Sequence, residues 1–337
     1  MVRTGANSYL KFGWESTFAT KSSTMNKPFG LQQSVGSWSI NNSRKDLRKL
    51  GQIERQAFAY GQQNGSLSIE FILSNPWIFR ALYGAPSTTG SSSDFVHTYP
   101  HASNGQPKTV QPISCEIGFQ AEDATNETVV RSMLGGVLTG FNISTAIDDL
   151  VNVSADITYG NESDPSNTVS DFDTSPPSDD INFPYTFAHG TLKWYDGSSL
   201  STVAEVQSVN ISFTQNVNLL YRIGSNKATA AYRQGFDING SFQASWKDDA
   251  IFKQMLDQIN ANPTTELASG TTTVLELKFT NGATGTSEKA ITINVYGVAI
   301  DSESVDGIRP VDPVFETINW EARGATIIAE NPIATPL

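Results

Sequence analysis

Apolar residues recur at every second position through much of this chain. Leu67, Ile69, Phe71 and Leu73 share one face of a run, and Ile291, Ile293 and Val295 share a face of another. A period of two is what a half-buried strand requires, so the pattern predicts a mainly β chain. Each half interrupts the alternation with one helix. In "NPWIFRALYG" Asn75 can cap, Pro76 suits a first turn that needs no N–H, and Gly84 can close the last turn. In "DDAIFKQMLD" Asp248 can start a second helix, where negative charge suits the backbone dipole. Trp77, Phe79, Leu82, Ile251, Phe252 and Leu256 are expected to pack as core beneath a sheet rather than to line a cofactor pocket.

The order of elements occurs twice. Phe29 to Gly61 matches Val203 to Gly235, with Gln-Ser-Val opening an apolar strand pattern in both. Leu10-Lys11-Phe12 is echoed by Leu192-Lys193-Trp194, Gly65-Ser66 by Gly240-Ser241, "SCEIGF" from Ser114 by "LELKF" from Leu275, and "MLGGVLTG" from Met133 by "NVYGVAID" from Asn294. The offset drifts from 182 residues at Leu10/Leu192 to 161 at Met133/Asn294, so loops differ in length while the landmarks keep their order. At 337 residues the chain has room for two domains of ordinary size. Between the copies, Gly160 to Asp180 holds six acids, three prolines and no Lys or Arg, the composition of a linker or long surface loop. The expected organisation is a first domain at 1–160, an acidic linker at 161–180 and a second domain at 181–337.

Charge is uneven along the chain. Up to Gly160 there are 12 basic and 12 acidic residues, and from Asn161 onward 10 and 22, so the net charge of −12 arises in the linker and second half. Such a chain repels free nucleic acid. The exception is "NNSRKDLRKLGQIERQ", where Arg44, Lys45, Arg48, Lys49 and Arg55 outnumber Asp46 and Glu54. Two readings stay open: a solvated loop face, or a projecting arm that docks on an acidic neighbour such as the second half of another copy. The matching region of the second half keeps only Arg222, Lys227 and Arg233.

Catalytic motifs are absent from the sequence: there is no GxxxxGK[ST], GxGxxG between strand and helix, HExxH, GxSxG or CxxC. Cys115 stands alone in a strand pattern and is expected to be a small buried residue. His97 and His101 are four apart, but Pro100 and the Gly/Ser/Asn surroundings argue for a loop and against a metal site. Asp148-Asp149 resembles a turn and Asp248-Asp249 a helix start more than a pair of glycosidase carboxylates. No catalytic, cofactor-binding or metal-ligating residues are assigned, and no enzyme activity is expected. There is no secretory apolar segment at the start and no apolar run of spanning length, so the chain is expected to be soluble, without a membrane partner and made in a cytoplasm.

The opening "GANSYLKFGWESTFAT", then "NKPFGLQQSV", "GSLSIEFILSNPWIFRALYG", "HTY" and later "LKWYDG" with "VAEVQSVNIS" resemble the two-copy tail tube proteins of long-tailed bacterial and archaeal viruses. The resemblance covers nearly the whole chain. It implies two tandem β-sandwich or barrel-like domains, each with one flanking α-helix, whose sheets join neighbouring copies into a closed ring. Rings then stack into a hollow virion tail, meeting other tail proteins, through which DNA passes without specific binding. If six domains make a ring, three two-domain chains build it with pseudo-sixfold symmetry, the arrangement favoured here, whereas six chains would place the second domain elsewhere. Arg44, Lys45, Arg48, Lys49 and Arg55 then form a candidate contact loop between rings. Two rival readings are a non-enzymatic surface or capsid-decorating tandem β-sandwich, and a carbohydrate-active enzyme using Trp14, Trp38, Trp194 or Trp246 as a platform.

Overall fold

The computed structural model describes residues 8–50, 53–55, 57–91, 94–99, 110–121, 124–175, 183–203, 205–246, 250–261, 267, 272–283, 288–306 and 313–333. In chain order the first half carries β1 (Ser8–Trp14), β2 (Leu31–Asn41), β3 (Lys45–Leu47), β4 (Ala57–Ala59), β5 (Asn64–Ile72), α1 (Phe79–Tyr83), β6 (Ser87–Ser91), β7 (Asp94–Tyr99), β8 (Ile113–Ala121), β9 (Ala124–Ala146), β10 (Asn152–Tyr159) and β11 (Asn161–Glu162). The second half carries β12 (Gly190–Tyr195), β13 (Leu200–Thr202), β14 (Val206–Tyr221), β15 (Ala228–Ser245), α2 (Ala250–Ala261), β16 (Thr273–Thr280), β17 (Ala290–Asp306) and β18 (Phe315–Asn331). The protein is mainly β, as the alternation predicts.

Both halves follow one pairing order. In the first, β1 pairs β8, β8 pairs β9, β9 pairs β10, β10 pairs β5 and β5 pairs β2; in the second, β12, β16, β17, β18, β15 and β14 repeat the series, antiparallel throughout. The agreement extends to single side chains. Lys11 stands opposite Glu116 and bonds it at 3.1 Å, and Lys193 stands opposite Glu276 and bonds it at 2.6 Å. Tyr159 lies over Gly65 and Trp320 over Gly240, so close that a Cβ on either glycine would meet the ring at 2.1 and 2.4 Å. In each half the long strand bends at a left-handed glycine, Gly135 (φ 65°) or Gly297 (φ 63°), a conformation that a Cβ would strain. At the first bend β9 leaves β8 and takes up β10. Buried Glu15 holds it there, accepting the Gly135 N–H at 2.8 Å, the Ala19 N–H at 2.7 Å and the Ser114 hydroxyl at 2.7 Å.

Residues 161–166, whose composition suggests a linker, continue the line of β10 instead. Asn161 and Glu162 pair Leu134 and Met133, Ser166 bridges Val130, and Lys11 bonds Asp173 at 2.8 Å. The first part of β9 needs an edge partner, and this acidic stretch supplies it. The core is one cluster running from Phe12 to Ala329 across both halves.

Two expectations about the helices change. The first helix is shorter than its motif: Asn75 does accept the Trp77 N–H at 3.2 Å, but Pro76 to Ile78 form tight turns and only Phe79–Tyr83 is α-helical before Gly84 closes it. In α2, Phe252 and Leu256 are not core. They are 41% and 38% exposed, whereas Trp77, Phe79 and Leu82 are buried and Ile251 packs against the core. The reason is the helix's orientation: Gln254 accepts from Trp194 and donates to the Tyr195 carbonyl, and Gln258 bonds Val298 and Ile300, which turns residues 252 and 256 outward. Asp248 lies outside the described residues.

The glycine–aromatic stacks yield a test. Gly65→Val and Gly240→Val should each cost about 1–3 kcal/mol through overpacking, lowering the thermal midpoint by several degrees. Gly36→Ala, where the nearest atom to a new Cβ is 3.8 Å away, should leave it unchanged.

Candidate functional site

The features with functional promise are surfaces. β14 of the second half pairs with β9 of the first from Ser208↔Ala146 to Thr214↔Gly140, so the two halves form one continuous sheet. In the repeat, β2 occupies the position of β14, yet among the described residues it pairs only β5. Likewise the far end of β17, residues 302–306, pairs only β18, whereas the corresponding end of β9 is covered by β14. The chain thus carries one complete junction and the two separate edges of a second.

One face of this sheet is core; the other is polar and built of small residues. A row of cross-strand partners runs Ser34, Glu70, Ser154, Asn142, Ser212, Asn239, Glu321. The next runs Ser37, Ser68, Asp156, Gly140, Thr214, Asp237. A third runs Asn152, Ser144, Asn210, Ser241, Asn319, Ser302. These rows contain no lysine or arginine, and they cross the junction between the halves without a break. Their only charges are Glu70, Asp156, Asp237 and Glu321, all exposed.

All five basic candidates, Arg44, Lys45, Arg48, Lys49 and Arg55, lie exposed on one projecting arm, the β3–β4 hairpin and its tip. Three are partly engaged within it. Arg44 and Arg55 reach Asp46 at 3.4 and 3.0 Å, Arg44 also lies 5.0 Å over the Phe58 ring, and Arg48 donates to the Ile53 carbonyl at 3.3 Å. Lys45 and Lys49 form no ion pair among the described residues. The basic count does not announce the arm's second property: Leu47, Leu50, Ile53, Phe58 and Tyr60 are exposed on it as well. In the matching β14–β15 hairpin, Arg222 and Lys227 are exposed at the tip, while Arg233 is buried and donates to the Leu82 carbonyl at 2.7 Å.

The remaining chemical candidates have separate structural partners. His97 is buried, bonded to Thr88 and the Ile333 carbonyl, and burial lowers its pKa; His101 lies outside the described residues. Cys115 is buried, which pushes its thiol pKa up. Asp149 accepts from the Leu150 N–H and Asn152 within a turn, and Asp249 lies outside the described residues with Asp248. Trp14 stacks under Arg80, Trp38 bonds Tyr159, Trp194 packs on Phe242, and Trp246 is exposed. No group of three or more His, Cys, Asp or Glu side chains suited to a metal occurs among the described residues. No helix among them is long and apolar enough to cross a membrane.

A model of the phage tail tube protein family matches residues 5–322. A chain in the solved tail of an empty GTA particle, with C6 symmetry, is similar at 14% identity and a TM-score of 0.26, over 42% of this chain and 96% of that one. No curated protein matches the chain.

The ion cluster beneath the acidic segment yields a pH prediction. Burial alone would raise the Glu116 pKa, but Lys21 and Lys11 outweigh it and hold it below the usual value, and Lys11 also helps hold Asp173 down. A carboxylate whose folded pKa is depressed stabilises the fold above its unfolded pKa and loses that contribution as pH falls through its folded pKa. Glu15 works the other way: burial raises its pKa, so its contribution improves on acidification. Denaturant midpoints should therefore fall below about pH 4 in the native chain. Glu116→Gln should cost roughly 3 kcal/mol at neutral pH, as expected for a broken buried ion pair, and flatten this acid limb.

Proposed function

The chain belongs to the phage tail tube protein family and is a structural subunit of the virion tail, and from that premise we propose that three copies close into a ring in which each half serves as one tube domain. The observation that carries this reading is the internal junction. β14 on β9 joins the halves within a chain, and its two counterparts, the outer edge of β2 and that of the far end of β17, which have no partner among the described residues, are the surfaces that β14 and β9 would present if the junction were opened. Joining β2 of one copy to β17 of the next repeats the same contact between chains. Such head-to-tail pairing closes when the turn per copy divides a full circle with no rise along the axis. Closure also removes the exposed edges that otherwise invite aggregation.

The polar rows then line the bore. Ser, Asn and Thr offer no cation for phosphate, and Glu70, Asp156, Asp237 and Glu321 repel it, so DNA slides through without being held. Part of the chain's net negative charge is functional in this reading.

Electron microscopy with solution mass tests the stoichiometry: rings of three chains are expected, and rings of six chains would overturn the proposal. The bore has its own test. Tubes of the native chain should leave short duplex DNA unretarded on a gel, whereas Asp156→Lys with Asp237→Lys tubes should retain it in a manner that weakens with salt. Equal behaviour of the two at low salt would place the polar face away from the lumen.

A further inference from the structure

We propose that the β3–β4 arm of one copy lies across α2 of the neighbouring copy in the same ring, seating Phe58 and Tyr60 on Phe252 and Leu256. This rests on the ring reading above and adds a contact that strand pairing alone does not imply.

The template is again inside the chain. Beyond its pairing with β9, the β14–β15 hairpin keeps going and crosses the first half. Phe236 meets Tyr83 of α1 edge-on at 5.6 Å, and Arg233 donates to the Leu82 carbonyl at 2.7 Å. At the hairpin's end, Tyr221 donates to the Gln63 carbonyl at 2.8 Å, and the Gln63 N–H donates to the Asn226 carbonyl at 2.7 Å. Leu82 and Tyr83 are buried under this crossing. The second half's hairpin is therefore the cover of the first half's helix.

The first half's hairpin has no such surface among the described residues, where Arg44 to Leu50 and Ala57 to Tyr60 are all exposed. In the repeat, Phe58-Ala59-Tyr60-Gly61 stands where Tyr232-Arg233-Gln234-Gly235 stands. In the second half Tyr232 is 43% exposed at the place of Phe58 and Arg233 is buried at the place of Ala59, whereas on the arm Phe58, Ala59 and Tyr60 are all exposed, Phe58 at 52% and Tyr60 at 70%. The helix it would cover is α2, the counterpart of α1, and α2 is the helix whose outward face carries exposed Phe252 and Leu256, with Trp246 also exposed in the segment that precedes it. Two unsatisfied apolar surfaces stand at positions that the repeat brings together once β2 pairs with β17. Aromatic side chains at such a contact are strong anchors because they bury large area at little entropic cost.

Charge agrees with the pairing. Lys45 and Lys49 lie on the arm without ion pairs among the described residues, and α2 exposes Asp257 beside Leu256, with Lys253 beside Phe252, in a second half that carries the chain's acid excess. The electrostatic part orients the docking, and the aromatic part holds it. Contact with a copy in the next ring is the competing destination for the arm, and it predicts a different outcome.

The experiment is a disulfide trap on assembled protein, using Phe58→Cys together with Leu256→Cys; Cys115 is buried and stays silent. Isolated rings of the double variant, oxidised at low concentration, should yield covalent chains up to the full ring on a non-reducing gel, while either single variant yields none. Rings of normal mass with no cross-link, or cross-links found only in stacked tubes, would overturn the proposal while leaving the ring itself intact. Absence of rings from the native chain strikes the ring reading instead. In parallel, Phe58→Asp with Tyr60→Asp should raise the protein concentration needed for ring formation at least about tenfold, with the thermal midpoint of the unassembled chain unchanged, since both residues are exposed. Rings that form at the native concentration but stack poorly would assign the arm to the neighbouring ring.

Discussion

A strand edge must find a partner, and this protein is organised around that requirement. Backbone N–H and C=O groups on an open edge carry their hydrogen-bonding capacity whatever the side chains are. Within the chain the demand is met at the seam from Ser208↔Ala146 to Thr214↔Gly140, and the aromatic chain Phe79, Phe141, Phe213, Phe236 and Tyr83 fills the space behind it with successive ring separations of 5.6, 6.2, 6.3 and 5.6 Å. The same demand explains why 161–166 runs along β9 and why β7 adds itself to β18 through Ile327↔Tyr99. Each of these additions satisfies an edge inside the chain. The outer edge of β2 and the far end of β17 have no such cover among the described residues, and they face the requirement as an assembly problem.

The two halves share pairing and differ in what they add to it. The first half extends its hairpin into a separate arm, β3–β4, and inserts β6–β7 after its helix; the second keeps a plain long hairpin and a longer helix. Those differences are matched across the chain: where one half has a buried helix, the other has the hairpin that buries it. A single-domain subunit could not divide these roles, because each copy would carry both surfaces identically. Duplication allows α1 and α2, or Ala59 and Arg233, to diverge while the ladder that positions them stays constant.

Much of this was legible in the sequence, and the limits have physical causes. Alternation gave the strands, and the paired landmarks Leu10-Lys11-Phe12 and Leu192-Lys193-Trp194 correspond to β1 and β12 down to the Lys–Glu pairs across the sheet. Gly84 closes its helix as its position suggests. The strand role of 161–166 was not legible, because the six acids and three prolines of Gly160 to Asp180, the stretch it opens, describe a linker by composition, while the vacancy on β9 that recruits it is set by distant backbone. Phe252 and Leu256 differ from expectation for a related reason: apolar periodicity marks a helix face as apolar, not what that face meets. The exposed apolar side of the arm was masked by its arginines and lysines, although Leu47, Leu50, Ile53, Phe58 and Tyr60 alternate with them in plain view.

Linking two ring domains covalently also changes the energetics of closure. A ring of separate domains must meet the translational and rotational cost of association at every seam, whereas in the three-chain ring proposed above every second seam forms within a chain, at an effective concentration on the order of millimolar or above. The intramolecular seam is further fixed by buried aromatics and by the Arg233–Leu82 bond, so its geometry is set before any second copy arrives. A preformed pair of domains presents β2 and β17 at a defined angle, and it is that angle which decides whether head-to-tail addition closes or runs on as an open filament. In the proposed ring, the angle set by the seam at Ser208–Thr214 is therefore what the curvature depends on.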